Sequence, residues 1–371
     1  MNDFRRQWRD TRDDALRALA AVGESGWYVL GREVAEFERA LATLWKRAHC
    51  VGVASGLDAL ELALKALGCK PGDRVLTTPL SAFATTLAIA KLGATPVFVD
   101  TDEYGLMDLE RCGEVLGRRP EIRFLAPVHL YGNALDPAKL AGLRDGFGVT
   151  VVEDCAQSIL AEHGGVPTGT VGQCAATSFY PTKNLGAMGD GGAVLTNDGG
   201  AAERVRQLRD YGQAAKYRHD SVGYNSRLDE LQAGLLHRAY LDRLEGWTAR
   251  RRAIARRYLA GIANPAIRPI GAPPGSNSCF HLFPVVVAPE RKAAFLAHLQ
   301  GEGIGSGEHY PIAIPDQKAM AEIPHEMADD CGHARRLAAG EVSLPMHPYL
   351  EDDEVARVIE ACNRWSGTCC P

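Results

Sequence analysis

Between residues 49 and 200, short apolar runs alternate with amphipathic stretches, and this alternation constrains the fold more than any other feature of the chain. The apolar runs fall at 49–54, 74–78, 95–100, 123–130, 149–154, 175–180 and 192–196. Stretches 57–67, 83–92 and 137–143 read as helices between them, the first stopped by Gly68. Continuously apolar strands separated by helices predict an α/β fold, with a mostly parallel central sheet covered by helices on both faces. In such sheets ligands sit beyond the carboxyl ends of the strands. Those ends are where chemistry is to be sought.

Region 228–260 reads as a long helical connection, and Pro265, Pro269, Pro273 and Pro274 mark loops after it. A strand at 282–287 and helices at 290–301 and 353–365 follow. The expected division is a large α/β domain over 1–245, with an N-terminal helical segment, and a smaller α+β domain over 246–371. No repeat or low-complexity segment interrupts either. Lys and Arg number 41 against 46 Asp and Glu, a net charge of −5, which argues against a nucleic-acid or membrane surface. No apolar run approaches the ~20 residues of a membrane span. The first residues lead into a charged helix and not into a signal-peptide core. The ten cysteines are scattered, with no CxxC and no zinc-ligand spacing. They read as small buried hydrophobes in a reducing cytoplasm, with no metal centre.

Lys183 lies just past a strand end, in the glycine-rich turn that runs through Gly186, Gly189, Gly191 and Gly192. A surface lysine is one reading. The other is a Schiff-base lysine, because an amine withdrawn from water loses proton affinity and becomes a nucleophile toward carbonyls. Asp154 ends the run at 149–154, with Gln157 three residues on. Asp is a favoured helix cap. It is also the group that pyridoxal phosphate (PLP) needs beside its ring nitrogen. Ser55, Gly56 and Leu57 open a helix, whose N–H groups and dipole suit an anion. Ser178, five residues before Lys183, offers a hydroxyl to the same phosphate. Phe83 reads as core or as a flat face against an aromatic ring.

Taken together, these stretches resemble the DegT-type sugar-nucleotide aminotransferases, fold-type I PLP enzymes of amino-sugar, antibiotic-sugar and surface-polysaccharide pathways. The resemblance runs through the segment beginning Ser25-Gly26-Trp27-Tyr28, through Ser55-Gly56-Leu57-Asp58, Glu153-Asp154-Cys155-Ala156-Gln157 and residues 178–198. It continues through Asn225-Ser226-Arg227-Leu228-Asp229-Glu230 to Leu344-Pro345-Met346-His347-Pro348. It implies that Lys183 holds PLP covalently and moves the proton, that Asp154 pairs with the ring nitrogen, and that Gln157 lies against the ring. It gives Phe83 the stacking position, and Gly56, Leu57 and Ser178 the phosphate. It has Asn225 reach the phosphate of the neighbouring subunit and Arg227 meet the α-carboxylate of L-glutamate. The active unit implied is a homodimer with shared sites, acting on a nucleotide-linked keto sugar.

Within the family, Gly307-Glu308-His309-Tyr310-Pro311 resembles the C3 aminotransferases of dTDP-linked 3-keto-6-deoxyhexoses. His309 and Tyr310 are then expected at the sugar, and Lys216 at the diphosphate. A packed loop histidine and a solvated lysine are the alternatives. Ala313-Ile314-Pro315-Asp316-Gln317 departs from that group's pattern, as do Leu80-Ser81-Ala82 and Ile159-Leu160-Ala161. A C4 or cyclitol aminotransferase on the same fold is the competing reading. Sugar-dehydrating relatives replace the lysine by histidine, and a non-catalytic regulator would be expected to lose Lys183 or Asp154. Both residues are present. The Cys369-Cys370 tail has no place in this scheme.

Overall fold

The computed structural model describes residues 2–367. Its central sheet contains β1 (His49–Val53), β2 (Arg74–Thr77), β3 (Thr95–Phe98), β4 (Ile122–Ala126), β5 (Thr150–Asp154), β6 (Cys174–Ser178) and β7 (Gly192–Thr196). The spatial order is β1-β7-β6-β5-β4-β2-β3, and Glu326–Met327 adds a short parallel strand beside β3. Strands β6, β5, β4, β2 and β3 run parallel, and β7 is antiparallel to both of its neighbours. The sheet is therefore mostly parallel, as expected.

Alternation along the strands explains the two helical layers. Val51 and Val53 join one core with Leu60 and Leu64 of the helix that follows β1, whereas Cys50 faces the opposite core with Phe37 and Leu41. Successive strand side chains point to opposite faces, so a strand apolar at every position must be covered on both. The N-terminal helices α1 (Phe4–Ser25) and α2 (Arg32–Leu44) supply part of the cover. The eight cysteines among the described residues are buried and unpaired. Cys369 and Cys370 lie outside the described residues.

Two local expectations are corrected. The run at 123–130 is a strand only to Ala126; Pro127 has no N–H to continue a ladder, and the chain turns at Leu130–Gly132 with Tyr131 at φ 63°. The helical connection at 228–260 is interrupted, by a π-helical turn at Leu236–Tyr240 and a 3-10 turn at Leu241–Arg243, before a helix at Leu244–Gly261.

A second, antiparallel sheet has the order β8 (Arg268–Pro269), β9 (Phe283–Val286), β10 (Glu341–Leu344). Its core joins Phe283, Val285 and Val342 to Tyr258, Phe295, Val355 and Trp365 from the flanking helices. Asp154 and Ser178 stand at the carboxyl ends of adjacent strands, β5 and β6. The N-terminus of α3 (Gly56–Ala66) opens beside them.

Candidate active site

A cavity of about 320 Å³ is lined by Asn2, Ala82, Tyr180, Lys183, His309 and Tyr310, among others. A larger cavity, of about 530 Å³, lies between the first turn of α1 and the helix Asp352–Arg364 and includes none of the expected site residues. The smaller one brings Lys183, His309 and Tyr310 together.

Lys183 reaches it from a tight turn after β6. The Lys183 N–H donates to Tyr180 O at 2.8 Å, and the Ala187 N–H donates to Phe179 O at 2.8 Å. Gly186 is required there, because a Cβ would sit 2.3 Å from Pro181 O. Burial holds the Lys183 ammonium below its ordinary pKa, and the charge of Asp154 works in the other direction. An amine in this balance spends more of its time uncharged, which a nucleophile requires.

Asp154 is buried and held from both sides. Thr85 Oγ1 donates to its Oδ2 at 2.7 Å, and the Ala156 N–H donates to its Oδ1 at 3.0 Å. Gln157, also buried, accepts from the Tyr131 N–H at 2.8 Å and donates through Nε2 to the Tyr310 hydroxyl at 3.1 Å. Tyr131 donates its own hydroxyl to His309 O at 2.6 Å. One polar chain thus ties the end of β5 to the His309-Tyr310 loop. Burial first, and Asp154 second, push the Tyr310 hydroxyl above its ordinary pKa, so it stays protonated.

Beside β6 the backbone comes into close contact. Ser178 pairs with Gly192, and Gly192 pairs with Val53. A Cβ on Gly56 would lie 2.6 Å from Ser178 Cβ, and one on Gly192 would lie 2.3 Å from Ser55 O. Only glycine lets α3 begin this close to the strand ends. Ser55 caps the helix by accepting from the Asp58 N–H at 3.1 Å. The N-terminal turn of α3, where N–H groups lack helical partners, therefore lies against the Ser178 side chain.

The other expected residues lie farther away. Phe83 is half-buried just before α4 (Ala84–Lys91) and packs on Phe98, Ile314, Met320 and Cys331. Arg227 pairs with Asp210 Oδ1 at 2.8 Å, with its guanidinium 5.2 Å from the Tyr211 ring centre. Asn225 is exposed. Lys216 is exposed at the hairpin formed by Gln213–Ala215 and Arg218–His219, with its amine 5.3 Å from the Tyr217 ring centre. None of Asn225, Arg227 and Lys216 lines the Lys183 cavity.

Residues 9–363 match the model of the DegT/DnrJ/EryC1/StrS aminotransferase family. The chain belongs to that family. It is 41% identical over 369 residues to dTDP-3-amino-3,4,6-trideoxy-α-D-glucose transaminase of Streptomyces venezuelae, a match covering 98% of this chain and 95% of that protein. It is 37% identical over 364 residues to UDP-N-acetyl-3-dehydro-α-D-glucosamine 3-aminotransferase of Acidithiobacillus ferrooxidans, covering 98% and 97%. The crystal structure of Streptomyces venezuelae DesV in complex with a ketimine intermediate superposes with a TM-score of 0.93 at 40% identity. That superposition covers 99% of this chain and 98% of that one.

DegT-family aminotransferases use PLP, and this chain is a PLP-dependent transaminase. The residues present fit the cofactor. The N-terminus of α3, held against the Ser178 side chain by Gly56, suits a phosphate, and the buried Asp154 carboxylate suits a cationic ring nitrogen. Lys183, the candidate for the cofactor carbonyl, has its amine shifted toward the neutral form.

Three residues of this DegT-family site escaped the sequence reading. Thr85 was legible in principle, as one of two consecutive threonines in an otherwise apolar helix start. His281 lines the cavity, with Nδ1 3.2 Å from Asn184 Oδ1. Burial and the nearby Lys183 hold its pKa well below the ordinary range. Asn2 donates through Nδ2 to Thr182 O at 3.0 Å, a contact between residues 180 apart in sequence that no local pattern announces.

Proposed function

We propose that this transaminase moves the amino group of L-glutamate to C3 of a nucleotide-linked 3-keto-6-deoxyhexose, most simply a dTDP-sugar, in amino-sugar biosynthesis. The observation that carries the reading is the shared cavity of Lys183, His309 and Tyr310, in a chain whose relatives are named for amination at C3. His309 and Tyr310 offer polar atoms to ring hydroxyls within reach of the lysine, so they set which carbon meets it.

Each residue then has a task. PLP, when bound, supplies the electron sink and carries the amino group between the two substrates. Lys183 would hold it covalently, and its amine, when free, would hold and move a proton at the carbon being aminated. Asp154, oriented by Thr85, keeps the ring nitrogen protonated. Gln157 and Phe83 fix the ring plane, while Gly56, Leu57 and Ser178 hold the phosphate. Arg227 binds the glutamate carboxylate through its planar fork, Asn225 reaches the phosphate, and Lys216 approaches the diphosphate, all three across a homodimer interface. Exposed Trp27, Tyr28, Val29, Met188 and Leu231 support that interface; Val29 bridges to Asp229, and Met188 is held by Gln232. A division near residue 245 is supported by the separate core around Phe283, and a cytoplasmic location by eight unpaired buried cysteines.

Incubation with L-glutamate and dTDP-, UDP- and GDP-linked keto sugars, with the aminated carbon located by NMR, tests the reading. The expected product carries the amine at C3. An amine at C4, or efficient amination of a free cyclitol ketone, overturns it.

A further inference from the structure

Strand β10 has two unlike faces. Val342 and Leu344 enter the small-lobe core, and Glu341 and Ser343, two residues apart, point the other way. Both polar residues are buried. Gly307 runs alongside as a bridge partner of Ser343: its N–H donates to Ser343 O at 3.1 Å and its carbonyl accepts from the Ser343 N–H at 2.8 Å. His309 therefore arrives next to both side chains. Its backbone N–H donates to Glu341 Oε2 at 2.6 Å, and its Nδ1 lies 2.9 Å from Ser343 Oγ. The Ser343 hydroxyl donates to Glu341 Oε1. The circuit closes through the His309 backbone, and Ser343 and His309 both line the Lys183 cavity.

The circuit has one consistent proton arrangement while Glu341 is ionised. A carboxylate only accepts, and a hydroxyl has one proton to give. With the Ser343 proton committed to Glu341, Ser343 Oγ meets Nδ1 as an acceptor. The imidazole proton must then sit on Nδ1, which leaves Nε2 with a lone pair. We infer that Glu341, acting through Ser343, fixes His309 in the Nδ1–H tautomer and so makes Nε2 a hydrogen-bond acceptor for a hydroxyl of the bound sugar. Glu341 and Ser343 are positioning residues. The consequence for turnover rests on His309 being a sugar contact; the tautomer does not.

Other charges bear on the circuit. Burial raises the Glu341 carboxyl to about 7, with Lys292 and Glu308 acting on it in opposite directions. Tyr131 and Tyr310 face the same carboxylate. Burial and then Lys183 hold His309 below its ordinary range and favour the neutral ring, while Glu308 acts in the other direction.

Histidine ¹⁵N NMR of the holoenzyme at about pH 8.5, where Glu341 is ionised, reads the tautomer directly. The His309 signals are assigned from their loss in His309→Asn. Wild type is expected to show Nδ1 protonated and Nε2 bare. In Glu341→Gln the amide nitrogen donates to Ser343 Oγ, the serine proton turns to Nδ1, and the tautomer inverts. KM for the keto sugar should then rise about tenfold, with KM for glutamate unchanged, as expected for one misdirected hydrogen bond. Ser343→Ala, which preserves the strand, should leave a mixture of tautomers. A protonated Nε2 in wild type, or an Nδ1–H tautomer that survives both substitutions, overturns the inference. So does an inverted tautomer with an unmoved sugar KM in an enzyme that aminates C3. Amination at another carbon would leave the spectra as expected, so failure of the acceptor assignment is separately visible.

Discussion

Thr85 donates its hydroxyl to Asp154 Oδ2 at 2.7 Å, and both side chains are buried. The bond fixes the plane of the carboxylate proposed to meet the cofactor ring. A hydrogen bond to a charged group is worth about 1.5–3 kcal/mol. Thr85→Val keeps the shape and removes the bond, so PLP affinity and turnover should fall roughly ten- to a hundredfold. Asp154→Asn, which removes the charge itself, should cost more. Cofactor titration and steady-state rates on both variants check the order; equal losses would mean that Thr85 does more than orient Asp154.

Lys183→Ala should abolish transamination. Borohydride reduction of the wild-type holoenzyme should fix the cofactor to the peptide that contains Lys183, as read by mass spectrometry. A label on any other lysine contradicts the assignment.

The two cradle glycines should differ in severity. At Gly56 a new methyl meets Ser178 Cβ at 2.6 Å, an atom that moves only with its strand end. At Gly192 the overlap is deeper and wholly with backbone, at 2.3 Å from Ser55 O and 2.7 Å from the Gly56 nitrogen. Overpacking costs about 1–3 kcal/mol and sometimes more. Gly56→Ala is therefore expected to fold and to bind PLP weakly, and Gly192→Ala to lose thermal stability as well. Melting curves with and without PLP separate the two effects.

Mixed subunits test the shared site. Lys183→Ala and Asn225→Ala homodimers should each be inactive, and mixing them should restore part of the activity, because one of the two sites in the heterodimer is intact. Heterodimers that form and stay inactive would rule out a contribution of Asn225 across the interface.

Docking of α1 carries a pH signature. Arg6 donates to Glu354 at 2.6 and 2.8 Å, and this pulls the Glu354 carboxyl from 4.5 down to about 2. A depressed carboxyl contributes stability above its unfolded value and loses it as the pH falls through its folded value. The pair is partly exposed, so the effect is screened and modest. Arg6→Ala should lower the melting temperature at neutral pH, and the gap to wild type should narrow between pH 4.5 and about 2. A gap independent of pH would mean that the bond from Arg6 to Tyr349 O does the work instead.

The parts of the site legible in the sequence share one property. Lys183, Asp154, Gln157 and Gly56 each sit where a strand stops, and strand ends are marked locally by the change from apolar runs to glycine and polar residues. Glu326–Met327 was not legible as an edge strand, because two residues carry no periodicity. Glu341-Val342-Ser343-Leu344 does alternate, but which face meets His309 depends on the bridge from Gly307. Asn2 at Thr182 is set by where α1 docks, and that is decided by packing across the whole lobe.

The contact of Gly192 with Ser55 also bears on how the protein acquires its cofactor. The candidate phosphate corner closes only when β7, the last of these seven strands in chain order, has inserted between β1 and β6. Such non-local pairings close slowly. Little of the corner can exist while the sheet is incomplete, so PLP has few grounds to template the early steps of folding. It binds the finished lobe and stabilises it by mass action. Recovery of cofactor absorbance during refolding should therefore lag behind recovery of helical signal, and excess PLP should slow the loss of the native state more than it speeds its formation.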